Sequence, residues 1–206
     1  MCSVAKAIPE KYDPQMYDSV GRVSDLLERI GRLLRGIRHR DERLNPAQWE
    51  ALRYLGCANR YSRTPTALTH YLGATKGTVS QTLIALERKG LVRRAEDPRD
   101  RRGVRLGLTS RGRHHLQQDP MAELIAGVDP ALLERIGDDL RELLVQLQRQ
   151  NSRRPFGQCG SCRFFRTGDA PEEPGGPNRC GLTLEPLSDP EGQQICAEHE
   201  ASAQKP

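Results

Sequence analysis

Residues 64–91, TPTALTHYLGATKGTVSQTLIALERKGL, decide the fold of this chain. They predict two helices, because Thr64 and Thr75 each precede an apolar run of helical period and threonine is a favoured N-cap residue. Gly73 ends the first helix and Gly90 the second, since glycine readily adopts the left-handed conformation that closes a helix. The turn between the two helices is short, so the stretch predicts a helix-turn-helix unit.

The second helix of this unit has an apolar face and a polar face. Val79, Leu83 and Leu86 recur at a helical spacing and predict the buried face. The other face carries small polar or cationic groups near the N-terminus of the helix, which suit contact with base edges and phosphates. These candidate DNA-binding residues are Thr75, Lys76, Gly77, Thr78, Ser80 and Gln81.

A charged hairpin is predicted after the second helix. Residues 91–96 and 104–108 have the pattern of short strands, and the loop between them reads DPRDRRG. Arginine at a protruding tip suits the narrow minor groove of DNA, and Asp100 can hold a neighbouring arginine by a forked ion pair. The candidate DNA-binding residues of the tip are Arg99, Asp100, Arg101 and Arg102. A solvated turn is the alternative interpretation.

Two longer helices flank this region, over residues 17–38 and 130–149. Each has an apolar stripe at a helical spacing, and Asp129 followed by proline is a typical start for the second helix. The stripes either cover the core of the domain or form an interface between two subunits. A further helix is predicted from Asn45 to Gly56.

The positive charge of the chain is concentrated in one stretch. Residues 75–113 contain 11 basic and 4 acidic side chains, a net charge of +7, against +5 for the whole chain. This density indicates an anionic partner, and nucleic acid is the first candidate. Because no apolar run resembles a membrane span or a secretory signal, we expect a cytoplasmic protein without a membrane partner. The lack of a phosphate loop or an activated nucleophile predicts that it is not an enzyme.

The motifs within residues 45–112 resemble those of the MarR family of winged helix-turn-helix regulators. The resemblance rests on TKGTVSQ at 75–81, LERKGLV at 86–92, DPRDRR at 97–102 and LTxxG at 108–112. With the flanking helices it extends over residues 15–150. It implies a mainly α fold with a small β-wing, in which the N- and C-terminal helices join two subunits.

The same resemblance implies a homodimer on double-stranded DNA. The recognition helix of each subunit would enter one of two major grooves of a pseudo-palindromic operator, with the wings over the adjacent minor grooves. Asp100 and Arg102 match the salt-bridged pair at the family's wing tip. Many members are repressors that small phenolic ligands or thiol oxidation release, but no residue of this chain identifies a ligand pocket.

The ends of the chain lie outside this domain of residues 17–150. Residues 1–16 are an N-terminal arm, and residues 151–206 are a tail with 7 Pro and 7 Gly. Because the tail has too few apolar residues to stabilise a domain of this size, we expect an irregular segment to which a bound metal centre could supply the missing free energy of folding. Its candidate ligands, spaced C-x2-C-x17-C-x15-C, are Cys159, Cys162, Cys180 and Cys196.

Three kinds of site are open to these cysteines. Structural disulfides disagree with the reducing compartment of a DNA-binding protein. Zinc accepts four thiolates, although a zinc ribbon usually has a second close pair. An iron–sulfur cluster suits one close pair and two distant cysteines, because each iron needs its own thiolate, and Phe164 and Phe165 would shield it from water. We favour a [4Fe–4S] cluster and keep zinc as the alternative.

Three further residues are expected to have no part in binding or sensing. We expect His199 to be an exposed histidine of the tail, since four cysteines already fill a site. Cys2 and Cys57 are interpreted as inert packing residues, with thiol sensing as the alternative.

The combined expectation is a DNA-binding repressor whose iron–sulfur cluster senses redox state or iron. One alternative is a regulator with a structural zinc ion and a small-molecule or thiol signal. A second is an auxiliary iron–sulfur protein that transfers electrons.

Overall fold

The computed structural model describes residues 14–38, 44–97, 103–151 and 156–202. It has the predicted mainly α fold with a small β-wing, and its elements up to residue 151 are α1 (Pro14–Arg38), α2 (Pro46–Cys57), α3 (Pro65–Leu72), α4 (Lys76–Arg88), β1 (Val92–Glu96), β2 (Val104–Leu108), α5 (Ser110–Gln117), α6 (Pro120–Ala126) and α7 (Pro130–Gln150). The tail contains β3 (Gly157–Gln158), a 3-10 turn (Cys159–Ser161), β4 (Phe165–Arg166), β5 (Asn178–Cys180), β6 (Pro186–Leu187), α8 (Asp189–Gly192) and β7 (Ile195–Cys196). Within the described ranges, no helix is both long and apolar enough to cross a membrane.

Polar caps start the helices that the sequence predicts. Asn45 accepts the backbone N–H of Gln48 at 2.9 Å, and the Gln48 side chain accepts the N–H of Asn45, which completes a capping box at α2. Thr64 caps α3 and Thr75 caps α4, each by accepting a backbone N–H at 3.1 Å. Gly73 ends α3 with a φ of 60°. The helix-turn-helix unit therefore has the bounds that its local signals predict.

Two helices, α5 and α6, lie where the sequence analysis predicts no element. Asp119 caps α6 and precedes a proline, the same signal that starts α2, but α6 has only seven residues and shows no clear period. Asp119 also forms a largely buried ion pair with Arg53 of α2. Burial disfavours its charged form, but hydrogen bonds from Arg53 and backbone N–H groups outweigh this and hold the pKa of Asp119 below its ordinary value. The ion pair thus fixes α6 against the core.

The core is built around α2. Trp49, Leu52, Tyr54 and Leu55 are each at most 1% exposed. The buried side chains that complete this cluster from α3, α4 and the hairpin region are Leu68, Val79, Leu83, Leu86, Leu91, Val92 and Leu106. The predicted buried face of α4 is therefore confirmed, and its opposite face is turned to solvent.

β1 and β2 form an antiparallel hairpin, here called the wing. Its register places Val92 opposite Leu108 and Glu96 opposite Val104. The predicted tip residues that lie outside the described residues are Arg99, Asp100, Arg101 and Arg102. Their DNA contacts stay predictions.

The tail is largely irregular, as expected, but it contains two small sheets that the sequence does not predict. β3 pairs with β7, and β5 lies between β4 and β6, with antiparallel pairing throughout. Each strand has only two or three residues, so an alternating pattern cannot be seen in the sequence. A parallel bridge between Ala58 and Ile195 places β7 against the end of α2. The tail therefore packs on the helical part of the chain.

The apolar stripes of α1 and α7 face outward. Val20, Ile30 and Leu33 of α1 are 59%, 49% and 69% exposed, and Leu140 and Leu144 of α7 are 45% and 52% exposed. The interpretation in which the stripes cover the core of their own chain does not account for this exposure. Apolar surfaces of this kind are typical of interaction sites.

The start of α5 explains the glycine of the LTxxG motif. The hydroxyl of Thr109 donates to the carbonyl of Gly90 at 2.7 Å, and the N–H of Thr109 donates to the carbonyl of Leu91 at 3.0 Å. A Cβ on Gly112 would lie 2.0 Å from that Leu91 oxygen. Only glycine therefore fits at this close approach.

We expect Gly112→Ala to lower the free energy of unfolding by about 1–3 kcal/mol, because the added methyl group overlaps a backbone carbonyl. Urea denaturation followed by circular dichroism measures this change. Gly77→Ala is the matched control, since a Cβ there would meet only Thr75 Oγ1 at 3.8 Å. The control is expected to be unchanged or up to about 1 kcal/mol more stable. Equal stability of the two variants would contradict the packing explanation.

Candidate functional site

The outward face of α4 carries the predicted contact residues. The six residues are all exposed, and they are Thr75, Lys76, Gly77, Thr78, Ser80 and Gln81. The opposite face of the helix packs against the core through Val79, Leu83 and Leu86, which are at most 2% exposed. The core thus fixes the axis of α4 and leaves its N-terminal polar groups at the surface.

The exposed groups of α4 divide into two kinds. The hydroxyls of Thr75 and Thr78 lie 2.9 Å apart, and Thr75 also accepts the N–H of Thr78, so both are engaged in capping the helix. Across the described part of the chain, no hydrogen bond or ion pair engages the side chains of Lys76, Ser80 or Gln81. These three side chains are the ones available to a ligand.

Arg105 fixes the base of the wing, a role that the sequence analysis missed. Its guanidinium donates to both carboxylate oxygens of Asp97, at 2.6 and 3.2 Å, and these side chains are only 17% and 13% exposed. It also donates to the backbone carbonyl of Arg60, which precedes α3. No local signal predicts this contact, because Arg60 and Arg105 are 45 residues apart.

The four cysteines of the tail line one small pocket. Cys159 and Cys162 are 6% and 8% exposed, and Cys180 and Cys196 are half-buried. The other lining residues are Asn59, Tyr61, Phe164, Phe165, Leu182, Leu187 and Glu198. The sequence predicts the cysteines and the phenylalanines of this pocket, but it gives no sign of Asn59 and Tyr61.

Hydrogen bonds to sulfur shape the electrostatics of the pocket. Asn59 Nδ2 donates to Cys159 Sγ at 3.1 Å. The pKa of Cys196 is lowered to about 6, mainly because the thiol of Cys159 donates to it, while burial acts in the opposite direction. The backbone N–H of Glu198 and the side chains of Asn59 and Ser62 further stabilise the Cys196 thiolate. The hydrogen bond to Cys196 and burial raise the pKa of Cys159, so the pair favours a thiolate, the form of cysteine that binds metals, at Cys196 and a thiol at Cys159.

The four cysteines line one pocket, in which the sulfurs of Cys159 and Cys196 are in hydrogen-bond contact. A tetrahedral zinc site with Zn–S bonds of about 2.3 Å needs its four ligands close together. Among the described residues, no group of three or more His, Cys, Asp or Glu side chains is placed to hold one metal ion. A cluster has several irons, each with its own thiolate, and therefore needs a wider set of ligands. Four cysteines around one pocket supply the number of thiolates that either group needs.

The expectation that His199 is an exposed residue of the tail is wrong. It is 9% exposed, and its Nε2 lies 3.0 Å from the hydroxyl of Ser161. Gly157 allows this packing, since a Cβ there would lie 2.6 Å from the imidazole ring. Burial lowers the pKa of His199, which favours the neutral ring. His199 is not among the residues that line the cysteine pocket.

Cys57 has the surroundings of a packing residue. Its thiol donates to the carbonyl of Tyr54 at 3.4 Å, and burial raises its pKa. A raised pKa disfavours the thiolate, which is the reactive form. The environment of Cys57 therefore favours the inert interpretation, while Cys2 lies outside the described residues.

Comparisons with known proteins support the fold. Residues 44–103 match the MarR family. The transcriptional regulator HosA of Escherichia coli O111:H- is 35% identical over 85 residues, which are 41% of this chain and 61% of HosA. The chain thus matches less than two thirds of the length of this curated relative. HosA is by name a transcriptional regulator.

A solved structure has a similar architecture. The crystal structure of S. aureus MepR in DNA-binding conformation shares 26% identity, covers 61% of this chain and 98% of MepR, and has a TM-score of 0.52. A second structure, the S. aureus MepR–DNA complex, shares 24% identity over 60% of this chain and 96% of that chain, with a TM-score of 0.45. The tail cysteines lie beyond the family match, which ends at residue 103. This chain therefore has a winged helix-turn-helix fold, and its residues 44–103 are similar to the MarR family.

Proposed function

We propose that this chain is a transcription regulator that binds double-stranded DNA as a homodimer and carries a [4Fe–4S] cluster in its tail. The observation that carries the DNA-binding part is the N-terminal face of α4. There Lys76, Ser80 and Gln81 are exposed without partners among the described residues. Short polar groups at a helix N-terminus reach base edges, and a lysine reaches phosphate.

Charge and relatives support a DNA partner. The net charge of +7 in residues 75–113 lies on α4, the wing and the start of α5. A positive patch of this density raises the association rate with DNA and its affinity for the phosphates. HosA is by name a transcriptional regulator, and the similar structure of MepR is in a DNA-binding conformation.

The outward stripes of α1 and α7 support a homodimer. Leu33 and Leu144 are more than half exposed in the single chain. A second copy that buries these stripes would remove them from water, which is the main driving force for subunit association. A two-fold dimer would present two α4 helices to successive major grooves, which matches a pseudo-palindromic operator.

The cysteine pocket supports the cluster. Cys159, Cys162, Cys180 and Cys196 would each hold one iron, and the apolar wall of Phe164, Phe165, Leu182 and Leu187 would limit access of water and oxygen. A [4Fe–4S] cluster changes its charge on reduction and is lost on oxidation or when iron is scarce. The tail residues hold it beside the α2–α3 connection, so that its presence can alter the DNA-binding domain.

For the DNA-binding part, we expect Lys76→Ala to weaken binding by removing one phosphate contact. The slope of log affinity against log salt should become shallower by about 1. Fluorescence anisotropy measures this with a duplex selected by the wild-type protein from a random-sequence pool. Arg141→Ala is the matched control, because it removes an equal charge from an exposed ion pair with Asp138 on α7. An unchanged slope for Lys76→Ala would contradict the proposed face.

For the dimer, we expect Leu33→Glu to convert the protein to a monomer, because it places a charge in the apolar stripe of α1. Sedimentation equilibrium should give the chain mass of 23.1 kDa for the variant and twice this mass for the wild type. Leu184→Glu is the control, since Leu184 of the tail is 64% exposed and Leu33 is 69% exposed. A dimeric Leu33→Glu variant would exclude α1 from the interface.

For the cluster, we expect protein purified without oxygen to be brown and to contain about four irons and four sulfides per chain. Metal and sulfide analysis and the visible spectrum measure this. Cys180→Ser should lose most of the colour, whereas Cys57→Ser should keep it, because Cys57 does not line the pocket. A colourless protein with one zinc ion per chain would overturn the cluster and make the tail a structural zinc site.

A further inference from the structure

The connection between α2 and α3, residues 58–64, contacts both the cysteine pocket and the wing. We call it the coupling loop. Asn59 and Tyr61 of this loop line the pocket, while the backbone of Arg63 accepts a hydrogen bond from Leu106 of β2 at 2.7 Å. The two proposed sites are therefore separated by a single short segment of chain.

On its tail side, the coupling loop is bonded to the strand that carries Cys196. The N–H of Asn59 donates to the carbonyl of Ile195 at 2.8 Å, and the N–H of Ala197 donates to the hydroxyl of Ser62 at 2.8 Å. These bonds lie immediately before and after Cys196. A displacement of this ligand would therefore displace the coupling loop.

The side chain of Asn59 reaches a second ligand. Its Oδ1 accepts the N–H groups of Tyr61 and Ser62, at 3.1 and 2.9 Å, so its Nδ2 is directed at Cys159 Sγ. Asn59 is only 1% exposed, and a buried amide is costly to leave unpaired. The position of Cys159 and the conformation of the loop thus depend on one side chain.

The next residue, Arg60, adds an electrostatic connection. Its guanidinium donates to Glu191 at 2.7 Å and to the carbonyl of Pro186 at 2.6 Å, and Glu185 lies at 3.3 Å. Glu191 is 17% exposed, so its ion pair is only partly screened by water. This network fixes α8 and β6 of the tail to the coupling loop.

On its wing side, the coupling loop is held by Arg105. This residue joins the carbonyl of Arg60 to the carboxylate of Asp97, which directly precedes the wing tip. An arginine can make these bonds together because its five N–H donors lie in one rigid plane. The chain of contacts therefore runs from the cysteines through residues 58–64 to the wing.

We propose that the coupling loop transmits the state of the cysteine pocket to the wing, and that the loaded protein binds DNA more tightly than the cluster-free protein. This inference rests on the proposed cluster and DNA-binding functions. The bound cluster holds four cysteines, and through them the coupling loop, in one position, so Arg105 keeps the wing oriented. Loss of the cluster releases the cysteines and weakens the support of the wing. Thermodynamic reciprocity then requires that bound DNA protects the cluster.

The test compares DNA affinity with and without the cluster in the full chain. The probe is a duplex selected by the loaded wild-type protein from a random-sequence pool. We expect the wild-type affinities to differ by about 5- to 150-fold. In Arg105→Gln the ratio should fall below about twofold, with an unchanged iron content, because Arg105 does not line the cysteine pocket. Arg93→Gln is the matched control, since it removes one charge from the exposed part of β1, and it should keep the wild-type ratio.

Two further measurements make the result decisive. Arg105→Lys keeps the charge but cannot reach both acceptors, so it should also lower the ratio of the loaded to the cluster-free DNA affinity. This second variant keeps the test valid if Arg105→Gln fails to fold. The rate at which cluster colour bleaches in air, with and without the duplex, reports the reciprocal effect. DNA should slow bleaching in the wild type and in Arg93→Gln but not in Arg105→Gln.

The outcomes separate this inference from the proposed function. Equal affinities of the loaded and cluster-free wild type would overturn sensing itself. A large wild-type ratio that persists in both Arg105 variants would leave sensing intact and overturn the coupling loop as its route.

Discussion

The buried side-chain amide of Asn59 is the contact on which the arrangement of this molecule depends. Its oxygen accepts two backbone N–H groups of its own loop, and its nitrogen donates to Cys159. Because a buried amide must satisfy its donors and acceptor, this residue fixes the loop after α2 and the first cysteine of the tail together. The tail is therefore part of the same packed structure as the helices, although its sequence resembles an appended segment.

Ion pairs also join the tail to the connection between α2 and α3. The tail has a net charge of −2, and its carboxylates at Glu185 and Glu191 face Arg60 of the helical part. Lys76 and Arg88 of α4 and Arg93 of the wing lie elsewhere and are exposed to solvent. An acidic tail on a basic domain would ordinarily compete with DNA, but here its contacts are directed at the α2–α3 connection. The outward face of α4 therefore keeps its positive charge available.

The apolar residues of the chain serve two different surfaces. α2, α3 and α4 bury theirs in one core around Trp49 and Tyr54, whereas α1 and α7 turn theirs outward. The core determines the orientation of α4. In the proposed homodimer, the outward stripes would form the interface, and the separation of the two α4 helices would depend on how that interface is packed.

The sequence by itself determined the helices α1 to α4 and α7, the wing strands and the set of four cysteines. Caps such as Asn45 and Thr75, and apolar periods such as that of α4, act within one or two helical turns, so they can be read without knowledge of the fold. The same reasoning failed for α6, whose seven residues are too few to show a period. It also failed for His199, whose burial depends on the space above Gly157.

Only the tertiary structure decided which residues surround the cysteines and what joins them to the wing. Asn59 and Cys159 are 100 residues apart in the chain, Arg60 and Glu191 are 131 apart, and Arg60 and Arg105 are 45 apart. Each of these residues has an ordinary local setting, and each acquires its contact only when the tail packs on the α2–α3 connection. Local sequence preferences cannot predict these pairs, because each contact forms only when the whole chain has folded and does not depend on the neighbouring residues in sequence.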